Sequence, residues 1–222
     1  MTPWTVEGVG ATPPRPVRVR IDPADVRLSR RVADRRAASR RMDGSENAWT
    51  RGCLGAAADP IFVGYVGEFG FARWCNDTLG VSLTPDLRER SGGDGGVDFR
   101  VPDAGGLTVQ VKTAVTDYDE LLSRSEHVTV AGWDYIVRCH YRSPRVRVSR
   151  GGLFGADVAF DPTEVELCGY VRRWDILRSG LMPVPARNGR TWFNYEIPSH
   201  FFRPMGEFAA VIQTRQLLGG QA

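Results

Sequence analysis

Two short segments of alternating polarity, joined by a glycine-containing connection, constrain the fold of this chain more than any other feature. The segments are Val97–Val101 and Leu107–Lys112, and the connection includes Asp103–Gly106. In both segments apolar residues occupy every second position, which is the period of a β-strand with one buried face. We therefore predict a β-hairpin. Its loop must hold an odd number of residues, with glycine in a left-handed conformation, if facing residues are to share one side of the sheet.

The face of this hairpin opposite its apolar residues carries Asp98, Thr108, Gln110 and Lys112. With an odd loop, Asp98 lies across from Gln110 or Lys112. Hydrolysis of a phosphodiester needs oxygen ligands for a divalent cation and a positive charge near the phosphate. Asp98, the Gln110 amide and the Val111 carbonyl can supply the oxygens, and Lys112 the charge. The alternatives are an exposed Asp98–Lys112 ion pair and a solvent-facing Gln110.

Lys112 is the only lysine among the 29 lysine and arginine residues of the chain. In a chain that otherwise uses arginine for every positive charge, a lysine marks a position where arginine does not substitute. An ammonium group is a compact point charge on a flexible stem, whereas a guanidinium group is planar. A lysine retained by accident is the alternative.

A long helix is predicted from Asp59 to Leu79. Asp59 is a favourable N-cap, Pro60 suits the first helical position, and Gly80 supplies the stop. The helix is apolar almost all round, so a carboxylate at Glu68 is costly unless it is paired or bound to metal. Glycine recurs at every third position of this helix, which indicates close approach to another backbone: Gly64, Gly67, Gly70.

The segment GGDGGVDF followed by LTVQVK resembles the core of the PD-(D/E)XK nucleases, most closely the Mrr-type branch with its Q-x-K motif. Gly67–Ala72 is similar to the glutamate-bearing helix of that family, and the resemblance spans roughly residues 60–140. It implies an α/β, restriction-endonuclease-like fold, in which helices flank a central mixed sheet. It also implies a nuclease that requires Mg²⁺ (or Mn²⁺) and acts on DNA, with RNA not excluded. The catalytic set would be Glu68, Asp98, Gln110 and Lys112, and metal would be held by Asp98, Glu68, Gln110 and Val111.

Arginine is concentrated in a predicted helix, Asp25–Met42, and in a predicted loop at residues 142–152. Clustered arginine is typical of phosphate contacts, although a solvated helix face is the alternative. The nucleic-acid-binding candidates are Arg30, Arg31, Arg35, Arg142, Arg145 and Arg147. Aromatic and arginine residues of the C-terminal third, among them Trp174, either stack on bases or belong to the core.

Two domains are predicted: an arginine-rich N-terminal arm and helix (1–58), and a nuclease-like domain with an aromatic extension (59–222). Residues 1–24 are expected to be a flexible arm. Residues 118–124 are expected to be helical, residues 133–141, 165–171 and 191–197 to be strands, residues 174–178 a short helix, and residues 213–221 a polar tail.

The four cysteines are scattered and predict neither a zinc site nor a disulfide framework, so a cytoplasmic protein is expected. No signal peptide or membrane span is evident. A homodimer is plausible for an enzyme that cuts both strands. Two other functions remain open: a nucleic-acid-binding protein without catalytic activity on the same fold, and an interaction module of a phage or defence assembly.

Overall fold

The computed structural model of the protein describes residues 13–42, 58–88, 96–114, 120–130, 132–141, 163–185 and 193–219. The helices in these ranges are α1 (Pro23–Met42), α2 (Ala58–Leu79), α3 (Ser125–Thr129), α4 (Arg173–Arg178) and α5 (Met205–Gly219). The strands are β1 (Val17–Arg20), β2 (Phe99–Val101), β3 (Leu107–Ala114), β4 (Glu120–Arg124), β5 (Tyr135–His140), β6 (Glu164–Arg172), β7 (Val184–Pro185) and β8 (Phe193–Pro198).

Five of these strands form a mixed sheet in the order β1-β6-β5-β3-β2, and three form a smaller sheet in the order β4-β8-β7. Strands β3 and β5 are parallel, while the other neighbours in both sheets are antiparallel. A central mixed sheet flanked by helices confirms the predicted α/β class. No helix in the described ranges is long and apolar enough to cross a lipid bilayer.

Each face of the large sheet has its own hydrophobic core. The first core joins the sheet to α2 and α5 through buried residues such as Phe71, Val109 and Phe208. The second core joins the other face to α3, α4 and the small sheet, and includes Ile136, Val128, Ile176 and Ile197. Because the large sheet is covered on both faces, polar side chains that point out of its centre are buried.

The β2–β3 hairpin forms as predicted. Val101 pairs with Leu107 and Phe99 with Val109, so an odd number of residues separates the two strands. Gly105 and Gly106 have φ angles of 67° and 71°, which are the left-handed conformations that the turn requires.

Helix α2 lies close to the large sheet because two of its glycines face the strands. A Cβ atom at Gly67 would overlap the Thr113 side chain, and one at Gly70 would overlap the Val165 side chain. The helix ends as predicted at Gly80, whose φ is 66° and whose N–H donates to the carbonyl of Asn76 at 3.0 Å. These contacts set the distance between α2 and the sheet and the face of α2 that points toward the strands. They therefore also set the position of Glu68 on that helix.

Three predictions of local structure were wrong. Residues 17–20 are not part of a flexible arm, because they pair with β6 as an edge strand. Residues 120–124 are strand β4 rather than helix, because they pair with β8. The predicted polar tail is helical up to Gly219, continuing the helix that Phe208 and Ile212 anchor in the first core. In the first two cases pairing with a strand far away in sequence outweighed the local sequence pattern.

The arginine-rich helix α1 packs against the rest of the protein along one face. Ser29, Val32 and Ala33 are buried against the rest of the protein. The Arg30 guanidinium carbon lies 4.0 Å from the centre of the Phe62 ring on α2. Within the described part of residues 1–58, therefore, β1 and α1 pack against the same body as the rest of the chain.

The glycine contact of α2 gives a prediction of stability. Gly67→Ala should lower the free energy of unfolding by about 1–3 kcal/mol, because the new methyl group overlaps Thr113. Gly64→Ala is the matched control, because a Cβ there meets no atom within 4 Å and alanine favours the helix by about 0.5–1 kcal/mol. Urea unfolding measures both variants. Equal stability of the two variants would show that α2 does not approach the sheet through Gly67.

Candidate active site

The carboxylate of Asp98 marks the point where β2 separates from β3. The Asp98 N–H donates to the carbonyl of Val109 at 3.0 Å, just beyond the last paired residue of the ladder. The N–H of Val111 donates to Asp98 Oδ2 at 2.6 Å. The side chain of Asp98 therefore takes the place of a neighbouring strand, and its carboxylate is held against the edge of β3.

Gln110 lies across from Asp98 when the ladder is extended by one residue, as predicted, but it does not face solvent. It is only 2% exposed. Its amide nitrogen lies beside Gly96, where a Cβ would come within 2.9 Å of Nε2 and where φ is 76°. Among the described residues, no donor reaches Gln110 Oε1. A buried acceptor without a donor is costly, so Oε1 is available to a water molecule or a cation.

Lys112 is half-buried on β3, two residues beyond Gln110 on the same face. It forms no hydrogen bond or ion pair with any residue that the structure describes, so the cross-strand ion pair with Asp98 is not formed. The only lysine of the chain therefore keeps its ammonium group available within the described part of the protein.

Arg138 is the register partner of Lys112 in the parallel ladder between β3 and β5. Paired residues on neighbouring strands project to the same side, with the strands about 4.8 Å apart. Arg138 is 8% exposed, and its guanidinium carbon lies 5.8 Å from the centre of the Phe202 ring. Lys112 and Arg138 therefore place two cations side by side on this face of the sheet.

The polar row continues across the sheet from Arg138. His140 pairs with Glu166 on β6, and both side chains are buried. His140 Nδ1 lies 3.8 Å from Glu166 Oε2, and Arg18 Nε donates to Glu166 Oε1 at 3.3 Å. The row thus runs from Lys112 on β3 to Arg18 on the edge strand.

Neither Arg138, the neighbour of Lys112, nor His140, the next polar residue on that face of β5, was predicted as part of the site. The signal was present, because Tyr135–His140 places polar residues at every second position after Ile136. What could not be read from the sequence was the parallel register that aligns residue 138 with residue 112.

Glu68 approaches the same region from the other side of the sheet. It follows Gly67 on α2, whose carbonyl lies 4.0 Å from Cys139 Sγ on β5. Burial raises the pKa of the Cys139 thiol well above its ordinary value, and the charges of Cys168, Asp98 and Glu68 add to this effect in that order. Asp98 and Glu68 therefore both contribute to the raised pKa of one buried thiol.

The predicted donors, Asp98, Glu68 and the Gln110 amide, are oxygen ligands of the kind that suits a hard cation. Mg²⁺ is bound by few such groups when it retains several of its waters, whereas structural zinc is bound mainly through cysteine and histidine. No cluster of three or more histidine, cysteine, aspartate or glutamate side chains that could hold a metal occurs in the described ranges. Val111 contributes its N–H to Asp98, while its side chain is buried in the first core.

Three of the predicted nucleic-acid-binding arginines lie on α1, and the other three lie outside the described residues. Arg31 and Arg35 are exposed on α1, and Arg30 stacks on Phe62. Helix α1 packs on α2, which covers the face of the sheet opposite Lys112. Arg142, Arg145 and Arg147 lie outside the described ranges. Contact between these arginines and nucleic acid stays a prediction.

The Asp98–Val111 hydrogen bond gives a second prediction of stability. Asp98→Ala should lower the free energy of unfolding by about 1–3 kcal/mol, because the Val111 N–H would lose its acceptor. Asp98→Asn retains an acceptor oxygen and should lose less than half as much. Thermal and urea unfolding compare the two variants. If Asp98→Ala is as stable as the wild type, the carboxylate does not hold the edge of β3.

Comparisons of the chain with protein-family models, with curated proteins and with solved structures found no match. The α/β class rests on the strand and helix arrangement of the chain itself. The resemblance to PD-(D/E)XK nucleases rests on the motif residues alone.

Proposed function

We propose that this protein is a Mg²⁺-dependent nuclease that hydrolyses phosphodiester bonds in DNA, with its site at Asp98, Glu68, Gln110 and Lys112. The observation that carries the proposal is the environment of Lys112. The only lysine of the chain stands half-buried beside the Asp98 edge of β3 and next to Arg138, with no ion-pair partner among the described residues.

Asp98 and Glu68 would hold the metal, with the Gln110 amide oxygen and the Val111 carbonyl as further ligands. The unsatisfied Oε1 of buried Gln110 supports this assignment, because a cation or its bound water would satisfy it. Bound Mg²⁺ would supply Lewis-acid polarisation of the phosphate and a more acidic water.

Lys112 and Arg138 would carry the rest of the chemistry. The Lys112 ammonium group would donate to a non-bridging phosphate oxygen and stabilise the charge that develops there. Arg138 would hold the same phosphate in place with its planar guanidinium group. Asp98, held by the Val111 N–H, would keep its second oxygen in a fixed direction. Partial burial of these groups would strengthen each of these interactions by excluding water.

A second candidate function is binding of nucleic acid without hydrolysis. Gln110 is neutral, so it adds no negative charge to the metal site, as a carboxylate at this position would. No cluster of three acidic, histidine or cysteine side chains that could hold a metal occurs in the described ranges.

Incubation with plasmid, linear duplex, single-stranded DNA and RNA, each with Mg²⁺, Mn²⁺ or EDTA, separates these functions. Cleavage with metal and none with EDTA supports the nuclease, while salt-sensitive binding without cleavage supports the alternative. Gel filtration tests whether the active species is a homodimer.

Substitution of Lys112 tests the chemical role of the lone lysine. Lys112→Ala should lower the cleavage rate by at least about 10²–10³-fold, because a charge stabilising the reacting phosphate is lost. Lys112→Arg should also lower the cleavage rate, because a planar guanidinium group does not replace a point charge in a confined site. Arg20→Ala removes an exposed cation from the far edge strand and is the matched control. Full activity of Lys112→Arg would contradict the argument from the lone lysine.

Substitution of the carboxylates tests the metal site. Asp98→Asn and Glu68→Gln should raise the Mg²⁺ concentration needed for half-maximal cleavage, with the larger effect at Asp98. Each variant removes one negative charge from a site that binds Mg²⁺ through few protein ligands. Glu207→Gln, at an exposed position on α5, is the control. An unchanged Mg²⁺ requirement in Asp98→Asn would exclude Asp98 as a ligand, and the same result for Glu68→Gln would exclude Glu68 alone.

A further inference from the structure

Helix α4 carries a large aromatic residue that is not packed in either hydrophobic core. Trp174 is 58% exposed, whereas Ile176 on the same helix is fully buried and anchors α4 in the second core. Two guanidinium groups lie near the Trp174 ring, with the carbon of Arg178 at 5.4 Å and that of Arg173 at 5.9 Å from its centre. The indole is therefore presented to solvent on a fixed support.

The surroundings of Trp174 are strongly basic. Arg172 and Arg203 both form ion pairs with Asp175, at 3.3 Å and 3.5 Å. Together with Arg173 and Arg178, four arginines thus lie on or next to α4. An exposed aromatic ring among arginines is the combination that binds single-stranded nucleic acid, in which bases stack on the ring and phosphates contact the cations.

The position of α4 relates this surface to the candidate active site. The N–H of Arg173 donates to the carbonyl of Asp134 at 2.9 Å, directly before β5. Arg138, the register partner of Lys112, lies four residues further along the chain, or roughly 13 Å at about 3.3 Å per residue. Ile176 packs in the same core as Ile136, which pairs with Gln110. The α4 surface and Lys112 therefore lie on the same side of the large sheet.

We propose that Trp174, Arg173 and Arg178 form a stacking surface for an unpaired base of single-stranded DNA, which makes DNA with unpaired bases the substrate class of this protein. The choice of DNA rests on the proposed nuclease function. The stacking surface itself is independent of the metal site, because none of its residues belongs to that site.

The test uses the full-length chain carrying Lys112→Ala, in EDTA, so that binding is measured without cleavage. The probe is a labelled thymidine oligonucleotide of about 12 nucleotides, compared with an abasic strand of equal length and charge. Trp174→Ala should weaken binding of the thymidine strand about ten-fold and leave binding of the abasic strand nearly unchanged. Trp174→Phe should retain part of the affinity.

Matched controls lie on α5, which packs on the opposite face of the sheet. Leu217→Ala removes an apolar side chain that is 75% exposed, and Arg215→Ala removes an exposed cation. Neither should change the affinity, whereas Arg178→Ala should weaken binding of both strands and lower the log–log salt slope by about 0.7.

Unchanged thymidine affinity in Trp174→Ala, or equal loss for both strands, would overturn the stacking surface. Because binding is measured without metal, an absence of cleavage in the wild type would refute the nuclease and not this surface.

Discussion

Helix α2 rests on the large sheet through glycines, and the geometry of the candidate site depends on that contact. Gly67 faces Thr113 and Gly70 faces Val165, each without space for a Cβ atom. Any other residue at these positions would push the helix outward. The close approach places Gly67, the residue before Glu68, against Thr113 near the end of β3, with its carbonyl 4.0 Å from Cys139 Sγ. A contact between the helix backbone and a strand side chain thus sets the position of Glu68 on α2 relative to β3.

Asp98 and Lys112 bring opposite charges to the same stretch of β3 without pairing with each other. Asp98 is fixed there because the Val111 N–H donates to its carboxylate instead of to a neighbouring strand. Lys112 lies beside Arg138, its register partner on β5, on the face of the large sheet that the second core covers. In the proposed function, a phosphate bound at this face would interact with both cations while a divalent cation binds Asp98.

Local patterns predicted the parts of the fold that local interactions decide. The period of two in Val97–Lys112 and the glycines of its turn predicted the hairpin, and Asp59, Pro60 and Gly80 predicted α2. Strands β1 and β4 were missed because each is defined by a partner far away in sequence, β6 and β8 respectively. Of the site, Asp98, Gln110 and Lys112 could be predicted from one hairpin. Arg138 could not, because its place beside Lys112 follows from a parallel register.

In the proposed function, Asp98 and Glu68 hold a divalent cation beside Lys112. An anomalous-difference map from crystals grown with Mn²⁺ locates such a cation. We expect a peak within about 2–2.5 Å of oxygens from both carboxylates. A peak elsewhere, or no peak at this position at a Mn²⁺ concentration that supports cleavage, would refute the metal site.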